Sequence, residues 1–388
     1  VPVRHIKKTI QIVGETRCRP PARKFGIYQS DRLFHVVMFG QTGTGKSTLM
    51  KKMMSQDLEQ KQGFCLIDPH GDLAKEVMQL AGNQARYWEP ADQNCPLGYN
   101  PLSFVSDEYR PLVASGLIET LKKQWADAWG ARMEHLLRYA VLALLEHPNS
   151  DLRDIIPLFT NKAYRTEVVS HITDEQVLYF WKQEFPNMNY KTAIDGVAPI
   201  ANKLGTFLAH PNIRKMMCEP DEPIRFRKEM DQGKVLIVNL AKGRLGTDIS
   251  NVLGGMIVSN LALAAFSREN VALTERKPYF LYVDEFPSFT TDAFAGMLSE
   301  LRKYRLGIVA STQFTAQLSK ETLESVLGNV GTLVSFRVGA TDASLLAKQF
   351  ASDIPSQRDL ANLPNYRMFV SLMIDGRQSR PISSQTVV

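Results

Sequence analysis

Apolar residues along the chain come in short β-prone runs that alternate with stretches of helical spacing. His35-Val36-Val37-Met38-Phe39 predicts a buried strand; a glycine-rich turn follows, and Thr48 to Met54 reads as a helix. Gly63 to Asp68 is a second apolar run, ending in a carboxylate, before the turn Pro69-His70-Gly71-Asp72 and a helical stretch from Leu73 to Leu80. Ala85 to Trp88 predicts another short strand, and the passage holding Pro90, Pro96 and Pro101 is irregular. From about Asp107 to Gln232 the character changes to helical spacing over Leu112–Leu121, Ala131–Leu145, Leu152–Phe159, Gln176–Phe185 and Ala198–Leu208. Strands return at Lys234–Leu240 and Tyr279–Val283, then at Ile308–Ser311, Thr332–Phe336 and Met368–Ile374, with helical patterns between them.

This rhythm predicts an α/β protein with a mainly parallel sheet, helices on both faces and an inserted all-α subdomain. The expected divisions are an N-terminal arm over 1–32, a first core segment over 33–106, the α insertion over 107–232 and a second core segment over 233–388.

A chain of 388 residues can bury a large core. Its most apolar run, Val252 to Phe266, is broken by Gly254, Gly255, Ser259 and Asn260 and predicts a buried helix rather than a membrane span. Cys18, Cys65, Cys95 and Cys218 show no C-x-x-C spacing, which argues against a zinc site or a disulfide framework and fits a reducing compartment. The sequence shows no signal peptide; it opens on Val1 rather than Met, which leaves room for a membrane anchor upstream. Net charge is +6, and residues 1–32 carry the whole excess through Arg4, Lys7, Lys8, Arg17, Arg19, Arg23, Lys24 and Arg32 against Glu15 and Asp31. Such an arm suits a phosphate backbone or an anionic membrane surface, and equally a solvated leader.

Gly40-Gln41-Thr42-Gly43-Thr44-Gly45-Lys46-Ser47 is a complete G-x-x-x-x-G-K-[ST] loop in the strand-then-helix setting that this motif requires. Backbone N–H groups of such a turn point inward at phosphate oxygens, the helix N-terminus adds its positive end, and Lys46 supplies a point charge. Ser47 is the candidate Mg²⁺ ligand, and Thr48 completes the nucleotide-binding stretch. Phe280 to Val283 is an apolar strand ending in Asp284 and Glu285. Acids at a strand's C-terminal end lie beside a phosphate-binding loop in a parallel sheet. Asp284 can then hold the Mg²⁺ shell, and Glu285 can orient and deprotonate an attacking water. Gly307 to Gln313 is a strand ending in Ser311, Thr312 and Gln313, side chains able to sense a terminal phosphate. Arg302 sits in a cationic helix end, a placement that the helix dipole alone also explains.

The ordered set GQTGTGKST, LIDPHGD, WGARMEHLLRYAVLALLE, VDEF, LSELRKYRLGIVASTQ and GNVGTLVSFRVGATDA resembles the coupling-protein ATPases of conjugative type IV secretion, within the group of HerA- and FtsK-type hexameric DNA pumps. The resemblance covers roughly residues 25 to 375. It implies a RecA-like P-loop core carrying an all-α insertion, assembly as a homo-hexamer, and ATP hydrolysis that drives DNA through the ring. It gives Lys46 and Ser47 to ATP and Mg²⁺, Asp284 and Glu285 to hydrolysis, Gln313 to coupling, and Arg302 to the position of an arginine finger reaching a neighbouring subunit. Arg132 and Arg337 are weaker arginine candidates, and His70 and Asp72 belong to a family-like motif without an assigned role. A relaxase or secretion apparatus is the implied partner, in the cytoplasm or at the cytoplasmic face of the inner membrane. The chain departs from the family at its N-terminus, where conjugative coupling proteins usually begin with transmembrane helices and this sequence begins with the basic arm. Two other readings stay open from the residues: transport of a protein substrate, and a nucleotide-controlled assembly factor without transport.

Overall fold

The computed structural model describes residues 9–17, 21–103, 105–188, 190–350 and 354–387. Eleven strands form one sheet: β1 (Ile10–Thr16), β2 (Lys24–Tyr28), β3 (Val36–Phe39), β4 (Phe64–Asp68), β5 (Ala85–Trp88), β6 (Val235–Asn239), β7 (Tyr279–Val283), β8 (Leu306–Thr312), β9 (Thr332–Ser335), β10 (Arg367–Ser371) and β11 (Ile382–Gln385). Their spatial order is β2-β1-β11-β10-β9-β3-β8-β7-β4-β6-β5. The run from β9 to β6 is parallel. On the β9 flank, β10, β11, β1 and β2 pair antiparallel. The six parallel strands are made almost wholly of buried residues, which accounts for their continuous apolar runs rather than an alternating pattern.

Two compact units result. One holds the residues up to Tyr87, Arg227–Asn239 and everything from Arg268 on, and it contains the sheet apart from Trp88, the last residue of β5. In it α1 (Lys46–Glu59) buries Leu49, Met50, Met53 and Met54, a spacing of three and four that puts one helix face on the core with Leu66, Tyr282 and Val309. Helix α2 (Asp72–Ala81) buries Leu73, Ala74 and Val77 in the same core.

The second unit, Trp88–Phe226 with Leu240–Ser267, is almost entirely helical. It includes α3 (Arg110–Gln124), α4 (Ala131–Glu146), α5 (Tyr190–Ala209) and α6 (Thr247–Phe266). Packing assigns α6 to this unit, whereas the pattern along the chain places it in the second core segment. Helix α6 is long and apolar enough to cross a membrane by length and composition, yet 72% of its apolar window is buried inside the fold, where it packs on α3.

The N-terminal segment is not a loose leader over its described residues. Ile10–Thr16 and Lys24–Tyr28 form a hairpin that extends the sheet, and Arg32 is fully buried. Arg17, Arg23 and Lys24 stay exposed, while Arg4, Lys7, Lys8 and Arg19 lie outside the described residues.

Candidate active site

Strand β3 delivers the chain to Gly40, and the loop wraps back over the N-terminus of α1. Gly45 takes φ +121°, a backbone setting that side chains resist, and there it opens the first turn of α1. Thr44 Oγ1 donates to Gln41 O at 2.7 Å, closing the loop on itself. The Lys46 ammonium is buried and donates to Gly40 O at 2.5 Å and Gln41 O at 3.0 Å. Burial lowers its pKa, with the Asp284 and Glu285 charges opposing that shift. Thr42, Gly43 and Ser47 remain exposed at the mouth.

The acids arrive from the neighbouring strands. Parallel pairing places the ends of β3, β8, β7 and β4 at one edge of the sheet, so Gln313, Asp284, Glu285 and Asp68 gather beside the loop. One cavity of about 390 Å³ is lined by Thr42, Lys46, Ser47, Asp284, Glu285 and Gln313, and also by His70 and Asp72. Ser311 Oγ donates to Asp284 Oδ1. Glu285 has φ +52°, an uncommon setting outside glycine. Its Oε1 accepts from Gln313 Nε2 at 3.1 Å and is bonded to His70 Nε2 at 2.9 Å. Gln313 Oε1 in turn accepts from Thr42 Oγ1 at 3.1 Å. A hydrogen-bonded chain therefore runs from the glycine-rich loop through Gln313 to Glu285 and His70.

The LIDPHGD motif is what holds His70 there. The Asp68 carboxylate is buried and accepts from the N–H groups of His70 and Ala74, each at 2.9 Å, which fixes the turn and caps the start of α2. Burial raises the pKa of Asp68, while the N–H donors of Ala74, Gly71 and His70 hold it back. Gly71 stands at φ +93°, and a Cβ there would meet Asn239 Oδ1 at 2.3 Å, so the turn admits no side chain. The motif shows no role along the chain, because its partner Glu285 lies 215 residues from His70.

Not every candidate converges. Arg302 precedes the N-terminal end of β8, at the sheet edge opposite the glycine-rich loop, where its guanidinium lies 4.1 Å from the Phe34 ring centroid. It lines a different cavity, of about 510 Å³, with His35 and Leu298. Within one chain it does not reach the phosphate-binding loop. Arg337 braces that loop from behind, donating from Nε to Gln41 Oε1 at 3.2 Å and from Nη1 to Leu363 O at 3.2 Å. Arg132 lies in the helical unit, 3.6 Å from Asp195.

For a divalent ion the fit is specific in kind. Among the described residues no group of three or more His, Cys, Asp or Glu side chains could hold a metal. Ser47 and Asp284 face the same cavity, so an ion there would need phosphate and water oxygens to complete its shell, as Mg²⁺ accepts and transition metals do not favour.

The family model described as Helicase HerA, central domain, matches residues 31–261. Among solved structures, the bacterial conjugative coupling protein TrwBdeltaN70 superposes with a TM-score of 0.70 at 17% identity, over 99% of this chain and 89% of that one. TrwB in complex with ADP and Mg²⁺ matches with a TM-score of 0.66 at 18% identity, over 92% and 87%. VirB4 of Thermoanaerobacter pseudethanolicus matches with a TM-score of 0.68 at 14% identity, over 97% and 96%. The likeness to these structures is one of fold, the RecA-like P-loop fold with its large, mostly parallel sheet. No curated protein matches the sequence.

Proposed function

We propose, from the premise that this chain belongs to the HerA helicase central-domain family, that it is an ATP hydrolase of the conjugation and type IV secretion kind, and that it uses hydrolysis to translocate DNA. One observation carries the reading: Lys46, Ser47, Asp284 and Glu285, drawn from two distant strand ends, line the same cavity.

The loop N–H groups and Lys46 bind the terminal phosphates of ATP, with Lys46 leaving its carbonyl partners for phosphate oxygens. Ser47 and Asp284 would hold Mg²⁺, which would supply charge neutralisation at the phosphate oxygens. Glu285 orients the attacking water and takes its proton. Gln313 and His70 both bond its Oε1, which fixes the orientation of the carboxylate. Gln313, bonded to both Thr42 and Glu285, links phosphate occupancy to the β8 end. Arg302, remote from the phosphate-binding loop of its own chain, acts in a neighbouring subunit's site of a ring. DNA is gripped mainly through its phosphates, which makes binding salt-sensitive.

Steady-state ATP hydrolysis with and without single- and double-stranded DNA, at low and moderate salt, tests this. Strong, salt-sensitive stimulation is expected. Hydrolysis indifferent to DNA in an assembled ring would sink the translocase and leave transport of a protein or an assembly switch.

A further inference from the structure

The site described so far accounts for the phosphates but not for the rest of the nucleotide. All of its catalytic groups lie on one side of β3, at the ends of β8, β7 and β4. A nucleoside triphosphate whose terminal phosphate faces Asp284 and Glu285 must therefore run its nucleoside the other way, over β9 and β10. Strand β10 is antiparallel to β9, with Phe369 opposite Ser335 and Ser335 opposite Phe39, so the residue before β10 stands at the same sheet edge as the loop. That residue is Tyr366.

Its geometry is unusual in three respects. Tyr366 has φ +65°, a left-handed setting that a bulky side chain seldom takes. Its N–H donates to Thr44 O, inside the glycine-rich loop, at 2.8 Å, and its carbonyl accepts from Thr386 N at 2.9 Å, so the setting is held from both sides. Tyr366 is nevertheless 48% exposed, in contrast to Phe336, another aromatic residue against Gly45, which is fully buried. Strain of this kind, held in place by the phosphate-binding loop itself, points to a ligand rather than to packing. Beyond the ring the surface opens into a cavity of about 600 Å³ whose polar walls include Arg17, Asn365 and Gln385.

We propose that Tyr366 is the nucleoside subsite: the base of the bound nucleoside triphosphate stacks on its ring, and the polar edge of the base faces Asn365, Arg17 and Gln385. This rests on the phosphate-loop reading given under Proposed function. Stacking engages the face that every base has, so the ring supplies affinity for the nucleoside while discriminating little between purines.

The test separates nucleoside from phosphate by calorimetric titration of the full chain with Mg·ADP and, separately, with inorganic tripolyphosphate. Tyr366→Ala is expected to weaken ADP binding roughly ten-fold or more and to leave tripolyphosphate binding as in the wild type, while Tyr366→Phe binds both normally. Unchanged ADP binding by Tyr366→Ala would overturn the subsite and leave the phosphate loop standing. Equal weakening of both ligands would also overturn it, because the ring would then act only by packing against the glycine-rich loop and holding its shape. A wild-type protein that binds neither ligand would refute the phosphate-loop reading itself, and the subsite with it.

Discussion

Arg32 donates both terminal nitrogens to the two carboxylate oxygens of Asp57, at 2.7 and 2.8 Å, and neither side chain has any exposed surface. Tyr282 OH joins them, accepting from Arg32 at 2.7 Å and donating to Asp57 at 2.5 Å, and the guanidinium lies 3.6 Å from the Phe280 ring centroid. The pair ties α1, which follows the phosphate loop, to β7, which ends in Asp284 and Glu285. Removing one partner strands a buried charge. Asp57→Asn or Arg32→Met is therefore expected to cost about 3–5 kcal/mol in chemical denaturation, and the double replacement by apolar residues much less. A single variant within 1 kcal/mol of the wild type, a margin well below that range, would show that the pair is not isolated from water.

His70 Nε2 is bonded to Glu285 Oε1 at 2.9 Å, which places the imidazole against the candidate base. His70→Ala is expected to lower kcat roughly 10-fold or more with little change in KM for ATP, because the phosphate loop is untouched. His70→Asn, which retains an N–H donor, should recover part of the loss. A rise in KM with kcat unchanged would assign His70 to binding instead.

Glu285→Gln retains shape and hydrogen bonding but loses the proton acceptor. Turnover should fall by about 10²–10⁴-fold while Mg·ATP still binds. Normal turnover in this variant would remove Glu285 from the role of base.

The separation of Arg302 from the phosphate-binding loop of its own chain predicts complementation. Arg302→Ala and Lys46→Ala chains, each inactive alone, should regain hydrolysis when mixed under conditions where joint rings demonstrably form, since some interfaces then pair an intact loop with an intact arginine. A finger of this kind contributes on the order of 10³-fold or more to turnover. Mixed rings without activity would exclude action between subunits.

His35 supplies a pH dependence. It is buried, and its Nδ1 accepts from Ile308 N at 3.1 Å, so Nε2 carries the proton donated to Leu298 O at 2.8 Å. Burial lowers its pKa from 6.5 to about 4, with Arg302 adding to the shift and the Leu298 carbonyl opposing it. The unfolded chain therefore binds a proton that the folded one refuses, and stability falls as pH drops from about 6.5 toward 4, by up to about 3 kcal/mol. Urea midpoints of the wild type and His35→Gln, compared across that window, should converge at acid pH. Parallel curves would show that His35 does not titrate on unfolding.

The glycine-rich loop, the strand ending in Asp284 and Glu285, and the change from α/β rhythm to helical spacing were all legible in the sequence. Each depends on chemistry confined to a few neighbouring residues: N–H groups that a glycine turn can aim, apolar runs long enough for a buried strand, and a period of two against one of 3.6. Tertiary structure alone decided which distant residues meet. Strand order brings His70 to Glu285 and Tyr366 to Thr44, carries Arg302 to the opposite edge, and moves α6 into the helical unit. It also turns Arg32, read along the chain as one cation of a basic arm, into a buried partner of Asp57. Those outcomes depend on crossovers that no local window contains, because the free energy that selects them comes from burying surfaces far apart in sequence.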